Sequence, residues 1–349
     1  MLESNSEKIR GKQLQSVADY ELEARRKLSP ELVNYVFGST ESGATLARNL
    51  AGFTKYLLRR RVLQGIEDVK TQVSYFGGAI TSDLPFFPAP INVDPIYPGA
   101  LLDIIKVTKS FKIPVFLSNI PITPPLEVNK LPALAGPGAS LIWQIYVFSD
   151  NQDLLLKQAS LAEEWGYKAL TITVDTERNV KLGDEIPPET EIHPFISLKP
   201  RDIKKFRKAT SLPIVVKGIM DPDDAIIAVE AGADGVVVSN HGARTMDCGQ
   251  ATIEVLPEVV KKLRAKKSTR RTEIFFDGGI RRGTDILKAL ALGAGGCLLG
   301  RAIFWALAVD RERGVENVMT VLRRELVRTA SLCAVSDLSK VKESVLRVA

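Results

Sequence analysis

Gly235-Val236-Val237-Val238-Ser239-Asn240-His241-Gly242-Ala243-Arg244 runs from a continuous apolar stretch straight into a polar turn. Consecutive apolar residues of this kind read as a buried strand of the type a parallel sheet contains. The turn carries one of the two histidines in the 349-residue chain, with an arginine three residues further on. Imidazole accepts protons near neutral pH and a guanidinium fork matches a carboxylate, so this strand end suits an anionic substrate that loses a proton. A hydroxy acid is the simplest such substrate. The bland alternative is a strand followed by an Asn/Gly turn whose histidine is merely hydrogen-bonded. The rest of the chain decides between them.

Working outward, similar runs recur with helix-sized intervals between them. They are Pro85 to Ile91, Ile113 to Leu117, Leu141 to Val147, Ala169 to Val174, Pro213 to Val216, Gly235 to Val238, Ile274 to Phe276 and Cys297 to Leu299. Amphipathic segments such as Gln152 to Glu164, Pro222 to Ala231, Ile253 to Lys266 and Gly283 to Leu292 separate them. This alternation predicts an α/β protein, a (β/α)8 TIM barrel over residues 81–349 preceded by an N-terminal helical extension over 1–80, one domain overall. A doubly wound open sheet is the alternative, but no Gly-x-Gly-x-x-Gly opens an early strand-helix turn, as a nicotinamide-binding sheet requires.

Barrel enzymes place their chemistry at the C-terminal ends of the strands. Polar residues fall there in succession: Ser118-Asn119 after the second, Gln144 and Tyr146 in the third, Thr173 and Asp175 closing the fourth, and Lys217 ending the fifth. Ser239 to Arg244 follows the sixth, Asp277 to Arg281 the seventh, and Gly300-Arg301 the eighth. The last two are glycine-arginine clusters where this fold commonly holds phosphate. Glycine lets backbone N–H groups approach an anion, and a helix starting near Arg282 would add its positive dipole end. A phosphorylated ligand is expected.

Composition bounds the rest. With 45% hydrophobic and 25% charged residues the chain is ordinary globular material. Its first residues are polar and no apolar stretch approaches the roughly twenty residues of a membrane span, which predicts a cytoplasmic protein with no integral membrane segment. Cys248, Cys297 and Cys333 are odd in number and far apart, so neither a disulfide framework nor a metal site is expected. The net charge of +6 includes Arg59-Arg60-Arg61 and Lys266 to Arg271. Neither stretch interleaves aromatics, so they read as solvated faces and not as a nucleic-acid interface.

Ser239 to Arg244, Asp277-Gly278-Gly279-Ile280-Arg281-Arg282-Gly283-Thr284-Asp285 and Leu299-Gly300-Arg301 together resemble the FMN-dependent 2-hydroxy-acid oxidases and dehydrogenases. The similarity runs from about Leu28 to Leu338 and includes Tyr35, Thr45 and Asn49 in the extension. The resemblance implies FMN as cofactor, His241 as the catalytic base with Asp175 orienting it, and Arg244 as the clamp on the substrate carboxylate. Tyr35 and Tyr146 match the family's active-site tyrosines. Lys217 would lie at the flavin's pyrimidine end, and Ser118, Gln144, Thr173 and Ser239 would bond the ring and ribityl chain. Asp277 would bind ribityl hydroxyls, while Gly278 and Gly279 with Arg281, Gly300 and Arg301 would form the phosphate end. A homotetramer is likewise implied only by the resemblance.

The pattern breaks in three places. The position aligned with the family's second carboxylate-binding arginine is Leu182, so Lys181 or Arg178 would have to substitute, and lysine lacks the bidentate fork. The stretch from Thr176 to Lys217, which normally carries a lid, is about thirty residues shorter than in familiar members. Beside the flavin, Pro90-Ile91-Asn92 puts asparagine where the family has a small residue. The expected activity is FMN-dependent oxidation of a small, lactate-like L-2-hydroxy acid to the 2-keto acid, with oxygen, a quinone or a protein carrier taking the electrons. The alternatives are an FMN-dependent isomerase of the type 2 isoprenoid diphosphate kind and a flavin-binding barrel without catalysis.

Overall fold

The apolar runs settle into strands because side chains fill one face and helices cover the other. In the computed structural model, which describes residues 14–118, 128–147, 151–175 and 197–349, the main sheet has eight strands. They are β1 (Phe86–Pro88), β2 (Val115–Ser118), β3 (Leu141–Ile145), β4 (Ala169–Thr173), β5 (Ile214–Ile219), β6 (Gly235–Val238), β7 (Glu273–Asp277) and β8 (Gly296–Leu299). Every residue of β1, β2, β3, β4, β6 and β8 is buried, the burial expected of a parallel sheet covered on both faces.

From β2 to β8 each strand pairs with its successor in parallel, and β8 returns to β1 through Cys297↔Phe86, Leu298↔Phe87 and Leu299↔Pro88. That return pairing makes a barrel and excludes the open, doubly wound sheet. The ring is nearly closed: β1 and β2 meet by packing, with the Phe87 and Phe116 rings stacked 6.3 Å apart. Two strand ends differ from the sequence reading. β5 continues past Lys217 to Ile219, and β7 includes Asp277, which therefore sits on a strand and not in the following loop.

Among the described residues three α-helices precede the barrel: α1 (Val17–Lys27), α2 (Pro30–Phe37) and α3 (Ala44–Ala51). Ser16 and Asp19 form a reciprocal capping box at the start of α1, and Ser29 with Pro30 starts α2. The extension is not helical throughout. Tyr56–Leu58 pairs antiparallel with Leu346–Val348 near the C-terminus, and Val73–Tyr75 forms a hairpin with Ile80–Ser82. The hairpin covers the N-terminal ends of β7 and β8: Tyr75 Oη donates to Gly295 O at 2.9 Å, and Phe76 N–H to Glu273 Oε1 at 2.9 Å. The Tyr75 ring packs on Phe275 and Phe87, and these on Phe116, filling that end of the barrel with aromatic side chains. The opposite, C-terminal end is left for the site.

The outer helices are α4 (Ala100–Ser110), α5 (Leu131–Ala135), α6 (Gln152–Trp165), α7 (Pro200–Ala209), α8 (Pro222–Glu230), α9 (Thr252–Ala265), α10 (Gly283–Ala291) and α11 (Arg301–Leu332). α11 is broken at Asp310 and Arg311, whose backbone is not helical, and Gly314 passes so close to Ala306 that a Cβ would overlap its carbonyl oxygen.

Candidate active site

The turn after β6 is strained and firmly held. His241 (φ 57°), Gly242 (φ 67°) and Ala243 (φ 65°) are all left-handed, a conformation costing a non-glycine residue roughly 1–2 kcal/mol. Asn240 Oδ1 accepts the Ala243 N–H at 3.0 Å, Thr40 N–H donates to Ala243 O at 3.0 Å, and Arg301 Nη1 donates to Gly242 O at 2.9 Å. The Asn240 side chain pairs amide to amide with Asn49 of α3, at 2.9 and 3.0 Å, where Asn49 is fully buried. The extension thus reaches the barrel mouth and fixes the residue next to His241.

That turn aims the imidazole between two partners. His241 Nδ1 lies 3.1 Å from Asp175 Oδ1, and Nε2 lies 3.1 Å from Tyr146 Oη. Burial pushes the Asp175 carboxyl up, but the charges of His241 and Lys217 and the hydrogen bond from His241 outweigh it, leaving Asp175 below the usual carboxylate value. Burial, then the Lys217 charge, lowers His241 below 6.5, against the opposing pull of Asp175. The pair is therefore a neutral imidazole beside an ionised carboxylate. An ionised Asp175 assigns the ring proton to Nδ1 and leaves the Nε2 lone pair on the Tyr146 side.

Gly218, absent from the sequence reading, makes room for this pair. It sits in β5 at φ 110°, where the register against β6 shifts, and a Cβ there would come within 2.5 Å of both Asp175 Cβ and Cγ. Glycine is the residue that tolerates both the backbone angle and the approach.

A cavity of about 310 Å³ opens at the C-terminal end of the barrel above these residues. Tyr35 and Pro90, Ile91 and Asn92 line one side; Ser118, Tyr146, Lys217, His241 and Arg244 come from the ends of β2, β3, β5 and β6. Asp277, Gly278, Gly279, Arg281, Gly300 and Arg301 line the far end. Behind the wall, Gln144 Nε2 donates to Thr173 Oγ1 at 2.7 Å; in the lining, Lys217 Nζ donates to Ser239 Oγ at 3.1 Å and lies 3.7 Å from Asp277 Oδ2. Arg244 is anchored by Nη2, which donates to Tyr35 O at 2.7 Å and Val36 O at 3.1 Å. Tyr35 Oη donates to Asn92 O at 2.9 Å, so Asn92 joins the extension to the first strand end. Phe304, a lining residue on α11, carries no polar signal that a sequence reading could use.

The far end has the character of an anion site. Burial lowers Arg281 to about 10 and Arg301 well below the arginine range, and Arg244 and Arg281 lower Arg301 further. A guanidinium stays charged in proteins, so the burial of both arginines, and for Arg301 the neighbouring arginine charges as well, carries a cost that a bound anion offsets. Arg281 Nε, Arg301 Nε, Asp277 Oδ1 and Gln144 Oε1 are buried without a hydrogen-bond partner among the described residues. Buried polar atoms need partners, and a ligand with phosphate at one end and hydroxyl and amide groups along its length supplies them. The residues fit FMN.

One expectation is corrected. The start of α10 does not offer its N–H groups to an anion, because Asp285 Oδ2 accepts those of Arg281 and Arg282 at 3.0 and 2.9 Å, and Glu325 Oε2 accepts that of Gly283 at 2.8 Å. The positive end of the helix is already neutralised by carboxylates. Lys181, Arg178, Leu182, Asn119 and half of the shortened lid stretch, residues 176–196, lie outside the described residues.

The profile of the FMN-dependent dehydrogenase family matches residues 24–199 and 189–348. Glycolate oxidase 3 of Oryza sativa subsp. indica is 34% identical over 360 residues, covering 93% of this chain and 94% of its own. 2-Hydroxyacid oxidase 1 of Homo sapiens is 32% identical over 365 residues, covering 95% and 96%. Among solved structures, mandelate oxidase superposes with a TM-score of 0.84 at 28% identity, over 96% of this chain and 98% of that one. The chain belongs to the FMN-dependent dehydrogenase family and is an FMN enzyme of 2-hydroxy-acid oxidation.

Proposed function

We propose that the substrate is a small, lactate-like L-2-hydroxy acid, which leaves as its 2-keto acid. The observation that carries this reading is one cavity pairing a neutral, carboxylate-oriented imidazole with an anchored arginine fork, His241 with Asp175 and Arg244. Arg244 binds the substrate carboxylate, with Lys181 as the second cation, and the hydroxyls of Tyr35 and Tyr146 bond the carboxylate or the reacting hydroxyl. His241 Nε2 accepts the proton that leaves the α-carbon or the hydroxyl, and Asp175 holds the tautomer and stabilises the imidazolium that forms. Bound FMN would supply the acceptor for the two electrons that leave the substrate, for onward transfer to oxygen or another acceptor. Pro90, Ile91 and Asn92 would lie beside its ring, with Lys217, Ser118, Gln144, Thr173 and Ser239 bonding the ring and ribityl chain. Asp277 would hold ribityl hydroxyls, and Gly278, Gly279, Arg281, Gly300 and Arg301 the phosphate.

The same reading takes the protein as a cytoplasmic homotetramer; among the described residues no helix is long and apolar enough to cross a membrane. It also takes residues 1–80 as an extension to a barrel over 81–349, and the Asn49–Asn240 pair supports a role for that extension at the barrel mouth. The test is anaerobic addition of short 2-hydroxy acids to the FMN-loaded protein while its absorbance is followed. Lactate and acids of similar size are expected to bleach the flavin bands. Full FMN occupancy with no bleaching by any acid of the panel would sink the proposal.

A further inference from the structure

Arg59-Arg60-Arg61, which the catalytic site does not use, opens onto a second cavity of about 850 Å³. Arg59, Arg61, Lys70, Lys340 and Lys342 line it, with Asp337 as its one acidic lining residue among those described. Glu67, Asp68 and Glu343 lie on the same segments without lining it. Its floor is fixed by backbone pairing between the extension and the C-terminal segment: Arg59 N–H to Val345 O at 2.8 Å, Arg61 N–H to Leu332 O at 2.9 Å and Lys70 N–H to Ser336 O at 2.8 Å. Asp337 lies 3.8 Å from Lys70 and 3.7 Å from Lys340, one carboxylate between two ammonium groups. Arg59 Nη1 donates to Ser344 O at 3.1 Å, and Arg59, Arg61 and Lys342 are exposed to solvent.

Immediately beside this basic cavity the surface turns apolar. Leu63 is 98% exposed at a bend with φ 59°, Val62 is 63% exposed, and Leu332, whose carbonyl Arg61 holds, is 45% exposed. Single exposed leucines are common, but an aliphatic pair following three arginines at the rim of a cationic cavity asks for a partner that is both anionic and apolar. A soluble phosphate compound would satisfy the cations and leave Val62 and Leu63 in water. A second copy meeting this face about a two-fold axis would set the same cations against each other. Among the described residues no aromatic side chain lines the cavity for base stacking, which disfavours nucleic acid.

We propose that this face docks on an anionic phospholipid surface, with lipid phosphates at Arg59, Arg61, Lys70, Lys340 and Lys342 and with Val62 and Leu63 entering the boundary between head groups and acyl chains. The contact is peripheral and independent of the catalytic reading. The experiment is sedimentation of the full-length, FMN-loaded protein with phosphatidylcholine vesicles with and without phosphatidylglycerol. Binding is expected with phosphatidylglycerol only and weakens as salt is raised. Arg59→Ser with Arg61→Ser together lower vesicle affinity about 30-fold, at roughly five-fold per charge. Leu63→Glu, at a bend with no role in the core, lowers it about ten-fold or more and leaves flavin content and 2-hydroxy-acid turnover unchanged. Failure to sediment with anionic vesicles overturns the proposal. So does saturable binding of inorganic pyrophosphate to a protein that ignores vesicles, which makes this a soluble-anion site. A lipid-free change in particle mass caused by Leu63→Glu overturns it as well, by showing a contact between copies.

Discussion

At the scale of single residues, His241 is poised by opposing influences that mutation can separate. Burial and the Lys217 charge lower its pKa below 6.5 while Asp175 raises it. The base works when neutral, so kcat/KM is expected to fall as pH drops through a value below 6.5 and to stay level just above it. Asp175→Asn removes an influence that raises the pKa, so the acid limb should move to still lower pH. The plateau should fall about 10²–10⁴-fold as the tautomer and the imidazolium lose support. A limb that moves upward would show that Asp175 does not act on His241 in this way. Arg281 separates binding from chemistry: it lies 4.6 Å over the Trp305 ring, and its Nη1 donates to Ile280 O at 2.8 Å, away from His241. Arg281→Ala should weaken FMN binding about 10–100-fold, the worth of a charge-assisted hydrogen bond, with kcat at saturating FMN changed only a few-fold. Equilibrium titration with FMN measures the first, and turnover in excess FMN the second.

At the scale of elements, the barrel strands hold the site by close approach as much as by hydrogen bonds. Gly218→Ala adds a methyl group 2.5 Å from Asp175 at φ 110°. It is expected to cost about 1–3 kcal/mol of stability, as overpacking does, and to lower turnover because Asp175 must move away from His241. Thermal unfolding and steady-state rates on the same preparation check it; wild-type values for both would mean that β5 relaxes freely. The strands themselves were legible because a strand buried on both faces leaves a continuous apolar run, and Ser118, Lys217, Ser239 and Arg301 were legible because polar residues ending such runs sit at the barrel mouth. Gly218 was not. Its reason lies in Asp175, which is 43 residues away in the chain. The hairpin at Val73–Tyr75 was hidden for a similar reason, since Tyr75 and Phe76 find their partners at Gly295 and Glu273. The α10 start misled because a glycine-arginine turn looks open to an anion until Glu325, distant in sequence, is seen to occupy it.

For the whole molecule, the extension and the barrel act as one body through contacts that no local pattern announces. α3 is only eight residues long, too short to persist alone, and its order comes from what it touches. Thr45 Oγ1 donates to Met246 O at 3.0 Å and accepts the Gly249 N–H at 2.8 Å. Asn49 pairs with Asn240, and its Oδ1 also accepts the Thr252 N–H at 3.2 Å. The chain thus ties its N-terminal segment to the turn that carries His241 and to the start of α9, so docking of the extension and shaping of the catalytic turn are a single event. Asn49→Leu keeps the branching and heavy-atom count of the side chain and removes its hydrogen bonds, leaving the Thr252 N–H buried and unpaired and the Asn240 amide with only the Ala243 N–H and Gln250 O. Loss of such partners costs about 1–3 kcal/mol, and the three left-handed residues after Asn240 lose part of what holds them. The variant is expected to unfold at lower temperature and to retain FMN, because Arg281 and Arg301 are untouched. Its anaerobic flavin reduction by the best hydroxy acid should slow at least ten-fold, about 1.4 kcal/mol in the barrier. Wild-type reduction in a destabilised but FMN-loaded Asn49→Leu protein would separate the two roles and confine the extension to stability. Slowed reduction with FMN in place would make the first eighty residues part of the catalytic machinery.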